Sequence, residues 1–171
     1  MNLASIPAVV VFSLGLILLA RSLPHYQSPG EFSLAWFLPA ILVAVAVHEF
    51  LHALMARWRC GFPWNSFEFG FNPKFLIFYC HPRRPLNLAA YRMVCLGPLA
   101  VLGPFSIALV VGWPSDWLAH TAGVHLAGCL GDVWVFTLLR KYPPDTLVMD
   151  HPKEIGCDLY APSVSPANQS V

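Results

Sequence analysis

Four stretches of the chain are almost wholly apolar and long enough to cross a hydrocarbon core, which takes about 20 helical residues: Leu3 to Ala20, Leu34 to Ala56, Ala90 to Val111 and Trp117 to Leu139. Polar and turn-forming residues separate them, including Ser115-Asp116 between the last two. The pattern predicts an α-helical integral membrane protein with about four transmembrane helices. The first stretch reads as a helix and not as a cleaved leader. Arg21-Ser22-Leu23 makes a poor small-residue cleavage site, and Met1-Asn2 supplies no positive n-region. Between helices two and three, Asn65 to Phe71 and Phe75 to Cys80 are rich in aromatic and β-branched residues. They flank the breaker Asn72-Pro73-Lys74, so a short β-hairpin-like segment is expected there.

Composition strengthens the membrane reading. The chain is 57% hydrophobic and 11% charged, with a mean hydropathy of +0.59, whereas soluble domains carry roughly 25% charged residues. Its 171 residues allow a single membrane-embedded domain, residues 1–160, and the polar stretch 161–171 is expected to be a disordered tail. A net charge of +1 gives no field that would attract nucleic acid. Six of the ten Lys and Arg residues, Arg57, Arg59, Lys74, Arg83, Arg84 and Arg92, fall between helices two and three, and Arg140, Lys141 and Lys153 follow helix four. The distribution puts both termini and the long loop on the cytoplasmic side of a multi-pass protein, in a prokaryotic plasma membrane. The five cysteines, Cys60, Cys80, Cys95, Cys129 and Cys157, stand singly, which indicates neither a disulfide framework nor a cysteine zinc site.

One apolar stretch carries chemistry. His48-Glu49-Phe50-Leu51-His52 is an H-E-x-x-H pattern in the second helix. Residues four apart share a helix face, so His48 and His52 can offer two imidazole nitrogens to one Zn2+ ion, with Glu49 placed as general base for the attacking water. Ionisable groups at bilayer depth are costly without a partner, and a metal is a sufficient partner. If helices two and four run the same way, depths can be compared. His48 lies 14 residues after Leu34, and Asp132 lies 15 after Trp117, so at about 1.5 Å per residue the two sit at similar heights. Asp132 is therefore the expected third ligand, the ordinary alternative being a helix–helix hydrogen bond or salt bridge. His125, one heptad earlier and about 10 Å from Asp132 on a straight helix, is expected to act around the ligands or to line a cavity. His120 belongs at the helix's outer end, and Gly128 and Gly131 would let helices approach closely.

His48-Glu49-x-x-His52 followed by Leu130-Gly131-Asp132 resembles the site-2 protease class of intramembrane metalloproteases. Glu68-Phe69-Gly70-Phe71, the tyrosine and proline of Tyr91 to Pro98, Gly131-Asp132, and Asp150-His151-Pro152 up to Tyr160 resemble more closely the small membrane proteins grouped as Putative zincin peptidase. The similarity spans about Leu42 to Tyr160. It implies an integral-membrane zinc endopeptidase with His48, His52 and Asp132 as ligands and Glu49 as base. The order Gly-Asp departs from the Asp-Gly of many site-2 proteases, and no PDZ-like domain fits in the loops.

A peptidase of this kind must receive an extended peptide, and the hairpin edge could take one as an added strand; an amphipathic re-entrant anchor is the alternative. Asn72 could donate to an oxyanion or simply form the turn. Gly97-Pro98 and Gly103-Pro104 favour bends in helix three that could admit water, although such residues are also common in membrane helices. Asp150 and His151 are placed to brace the cytoplasmic mouth. Expected partners are the lipid bilayer and a membrane protein or peptide substrate, with no nucleic acid. Two other functions compete: a divalent-metal transport or binding protein, and an inactive protease-like scaffold that holds membrane partners.

Overall fold

The structure is a computed structural model that describes residues 5–27, 34–72, 77–151 and 156–161. Its elements are α1 (Ser5–Ser22), α2 (Leu34–Cys60), a 3-10 turn (Trp64–Ser66), β1 (Phe67–Asn72), β2 (Ile77–Pro82), β3 (Leu86–Asn87), α3 (Leu88–Gly112), α4 (Asp116–Gly128), α5 (Leu130–Leu139), β4 (Leu147–Asp150) and β5 (Cys157–Tyr160). The expected tail beyond Ala161 and the turn residues Pro73 and Lys74 lie outside the described residues. Among the described residues, three spans are long and apolar enough to cross a membrane: Leu34–Cys60, Leu88–Gly112 and the α4–α5 pair Asp116–Leu139. The first stretch of the sequence forms α1, which is apolar but shorter. Their outer faces are bare hydrocarbon, with Val11, Leu18, Val43 and Phe105 exposed, a surface compatible with lipid contact. Trp36, Trp113 and Trp117 mark one end of the bundle and Trp58 and Trp64 the other, all exposed, in the manner of interfacial aromatic belts.

The two basic segments meet at one end. β4 lies between β3 and β5, pairing Leu86 with Val148 and Met149 with Asp158. The sheet thus ties the chain before α3 to the chain after α5. The sequence had not suggested β3, β4 or β5, each of four residues or fewer and too short for alternation to register. The β1–β2 hairpin is antiparallel, with Phe69 opposite Cys80, and is pinned beside α2. Gly61 (φ 68°) ends α2 in the left-handed conformation that glycine tolerates, its N–H bonded to Arg57 O. Arg57 then reaches Phe62 O and the face of Trp64, which stacks on Phe50. Beneath the hairpin, Ala53, Ala56, Phe67, Cys80, Leu88 and Val94 form one buried cluster with Leu139 and Val148.

Close helix approach is carried by glycines other than those expected. A Cβ at Gly128 or Gly131 would meet nothing within 4 Å. One at Gly97 would sit 2.6 Å from Met55 Cγ of α2, and one at Gly123 would sit 2.5 Å from the Ser13 Cα of α1. Small residues here let backbones touch. Arg21 and Asp116 add a bidentate ion pair at the other end of the α1–α4 seam.

Candidate metal centre

Three donors from α2 and α5 converge. His48 Nε2 lies 3.1 Å from His52 Nε2 and 3.1 Å from Asp132 Oδ2, and His52 Nε2 lies 3.6 Å from Asp132 Oδ1. Metal–ligand distances of about 2.0–2.1 Å in tetrahedral zinc sites require ligand atoms roughly 3.4 Å apart. The three separations bracket that figure. Asp132 Oδ2 is buried and has no hydrogen-bond partner despite its closeness to His48. A buried carboxylate oxygen left unpaired costs free energy, and a cation at the centre of the triad would satisfy it. The residues present fit a zinc ion, and His48 and Asp132 stand at the same depth.

The ring orientations come from the backbone of α3. Pro98 has no N–H, so the carbonyl four residues earlier, Val94 O, is released from the helical ladder. It faces His52 Nδ1 at 2.9 Å, a contact that places the imidazole proton on Nδ1 and turns the Nε2 lone pair inward. Gly97 lets α2 come close enough for that bond. The proline therefore acts by freeing an acceptor, a role the sequence suggested only as a bend.

Only Cys129 separates α4 from α5, and its dihedrals are helical (φ −63°, ψ −14°), with its N–H donating to His125 O and its carbonyl accepting from Val133 N–H, so the two run on as one span. His125 Nε2 lies 3.4 Å from His48 Nδ1, and Cys129 Sγ lies 3.7 Å from that nitrogen. His125 and Asp132 thus flank opposite nitrogens of one imidazole. His125 also lines a cavity, as does His120, which stacks on Phe37. Cys129, which the scatter of single cysteines did not mark as a possible ligand, has its thiol 3.7 Å from His48 Nδ1 and 3.9 Å from His125 Nε2. The available signal was its spacing of four from His125.

Glu49 offers a carboxylate oxygen within 4.8 Å of both histidines' ligand atoms, and the Cys80 backbone N–H of β2 points at that carboxylate. Burial, and then the nearby charges of Glu49 and Asp150, push the Cys80 thiol up to about 12, so it stays protonated and is no thiolate ligand near neutrality. Next to it, Tyr91 Oη donates to Asp150 Oδ1 at 2.6 Å, and His81 Nδ1 lies 3.8 Å from Asp150 Oδ2. Asp150 therefore clamps α3 and β2 to the β4 sheet, and His151 bonds through its N–H to Gly156 O. Tyr91→Phe removes the donor from a largely buried carboxyl group. We expect a loss of about 1–3 kcal/mol, read as a lowered midpoint in chemical denaturation of the detergent-solubilised protein. Asn72 ends β1; its side chain, and with it the oxyanion expectation, lies outside the described residues.

A family model with the description Putative zincin peptidase matches residues 41–147. That segment runs from α2 into β4 and contains both histidines, Glu49 and Asp132. No match was found among curated proteins or among solved structures.

Proposed function

We propose that this chain, which belongs to the Putative zincin peptidase family, is a membrane-embedded zinc metalloendopeptidase of the site-2-protease type. It would hydrolyse peptide bonds of membrane-associated substrates. The carrying observation is the convergence of His48 Nε2, His52 Nε2 and the Asp132 carboxylate, whose buried Oδ2 has no hydrogen-bond partner. These three side chains would hold the metal. Zinc bound there would polarise the scissile carbonyl and make water acidic enough to attack near neutral pH. Glu49 would take the proton from the attacking water and return it to the leaving amine. Val94 O keeps the His52 ring fixed throughout. The free edge of the hairpin would receive an extended peptide as an added strand, beside Glu49, in the cytoplasmic half of the bilayer or just below it.

The test is metal analysis of protein purified without chelators. Wild type is expected to hold about one zinc per chain, and Asp132→Ala and His48→Ala to lose it while keeping wild-type helicity. Wild-type protein free of metal, or an Asp132→Ala variant that retains it, would overturn the assignment.

A further inference from the structure

We propose that the chain has a second metal site, for a soft thiophilic cation, formed by His48 Nδ1, His125 Nε2 and Cys129 Sγ. The three atoms are 3.4, 3.7 and 3.9 Å apart. Tetrahedral zinc–nitrogen and zinc–sulfur distances of about 2.0–2.1 and 2.3 Å require separations of roughly 3.4 Å between nitrogens and 3.6 Å between nitrogen and sulfur. The geometry is within a few tenths of an ångström of a ligand set. His125 and Cys129 are four apart, and the helical turn between them, closed by the bond from Cys129 N–H to His125 O, puts both on one side. Both are buried, so the triad is preformed inside the bundle. Its donors differ from those of the first triad: one thiolate replaces the carboxylate, which favours soft ions.

The second triad also has its own approach. A cavity of about 1160 Å³ opens between α2, α3 and α4. It is lined along α2 from Trp36 to Val47, a rise of about 16 Å at 1.5 Å per residue, with Ser115 and Asp116 at the α4 start and His125 further along that helix. Glu49 faces the hairpin at the other end. An ion could thus arrive from the end opposite the peptide. On binding, the Cys129 thiol proton and the His48 Nδ1 proton pass to solvent, and His48 ceases to donate to His125. The shared imidazole then bridges both ions as an imidazolate, a stronger donor that would make water at the first ion less acidic. This ion should therefore inhibit, a statement that rests on the peptidase reading, whereas the existence of the site does not.

The experiment is cadmium titration of the full-length, detergent-solubilised protein, followed by thiolate-to-cadmium charge-transfer absorption and bound-metal counting. Wild type is expected to take two ions, one of them with the absorption. Cys129→Ser should take one ion without it, and His125→Gln should weaken the absorbing site at least tenfold. His52→Ala should lose the other ion and keep the absorption, which separates failure of this site from failure of the catalytic one. No absorption at saturation in wild type, or unchanged absorption in Cys129→Ser, would overturn the proposal. Filling the absorbing site should lower peptide cleavage at least tenfold in wild type and leave Cys129→Ser unaffected; full activity with that site filled would refute inhibition.

Discussion

Glu49→Gln is expected to keep its zinc and lose about 10²–10⁴ in cleavage rate, the usual contribution of a positioned general acid–base. The amide has the same shape and can still meet the Cys80 backbone through its oxygen, so the hairpin should stay beside α2. What it lacks is a lone pair basic enough to take a proton from water. The measurement is hydrolysis of a peptide tethered to the membrane of proteoliposomes, with metal content determined on the same samples. Zinc retained with activity lost separates the base from the ligands, because Asp132→Ala should lose both. Undiminished hydrolysis in the glutamine variant would remove Glu49 from the reaction, and zinc loss would make it a ligand. A metal transporter predicts neither pattern, having no need of a base at this position. An inactive scaffold predicts metal without turnover in wild type.

The legible part of this site was the part written in local spacing. His48 and His52 are one helical turn apart, and any helix through them puts both rings on one side. Asp132 came from a depth comparison between two helices of fixed rise per residue, and the structure places its Oδ2 3.1 Å from His48 Nε2. The hairpin was legible because aromatic residues cluster on either side of Asn72-Pro73, and β1 begins at Phe67, about two residues later than the run from Asn65 suggested. The features that failed to show all depend on which backbone atoms meet. Nothing in the sequence says that Pro98 frees the Val94 carbonyl toward His52. Nor does it say which ring nitrogen of His48 meets His125. The β3–β4–β5 sheet joins segments about sixty residues apart through strands of two to four residues, below the length at which periodicity carries a signal. Glycines were misjudged for the same reason: Gly128 and Gly131 lie near Asp132, but contact, not proximity in sequence, decides which glycine is constrained.

That contrast makes a sharp expectation for packing. Gly123→Leu should destabilise the protein by about 1–3 kcal/mol, the usual cost of overpacking, whereas Gly131→Ala should stay within about 0.5 kcal/mol of wild type. At position 123 even the first added carbon would lie 2.5 Å from Ser13 Cα and 2.6 Å from Ser13 N. These are backbone atoms of a packed helix, so no rotamer change relieves the clash and α1 must move off α4. The Arg21–Asp116 pair at the far end of the seam then has to stretch or tilt with it. Because α4 also carries His125, two positions beyond Gly123, the displacement should reach the His48 ring and weaken zinc retention along with the fold. Comparing unfolding midpoints and zinc-release rates across a chelator series checks both. If Gly123→Leu matched wild type in midpoint and zinc release while Gly131→Ala did not, the α1–α4 seam could not be what holds α4 against the metal centre.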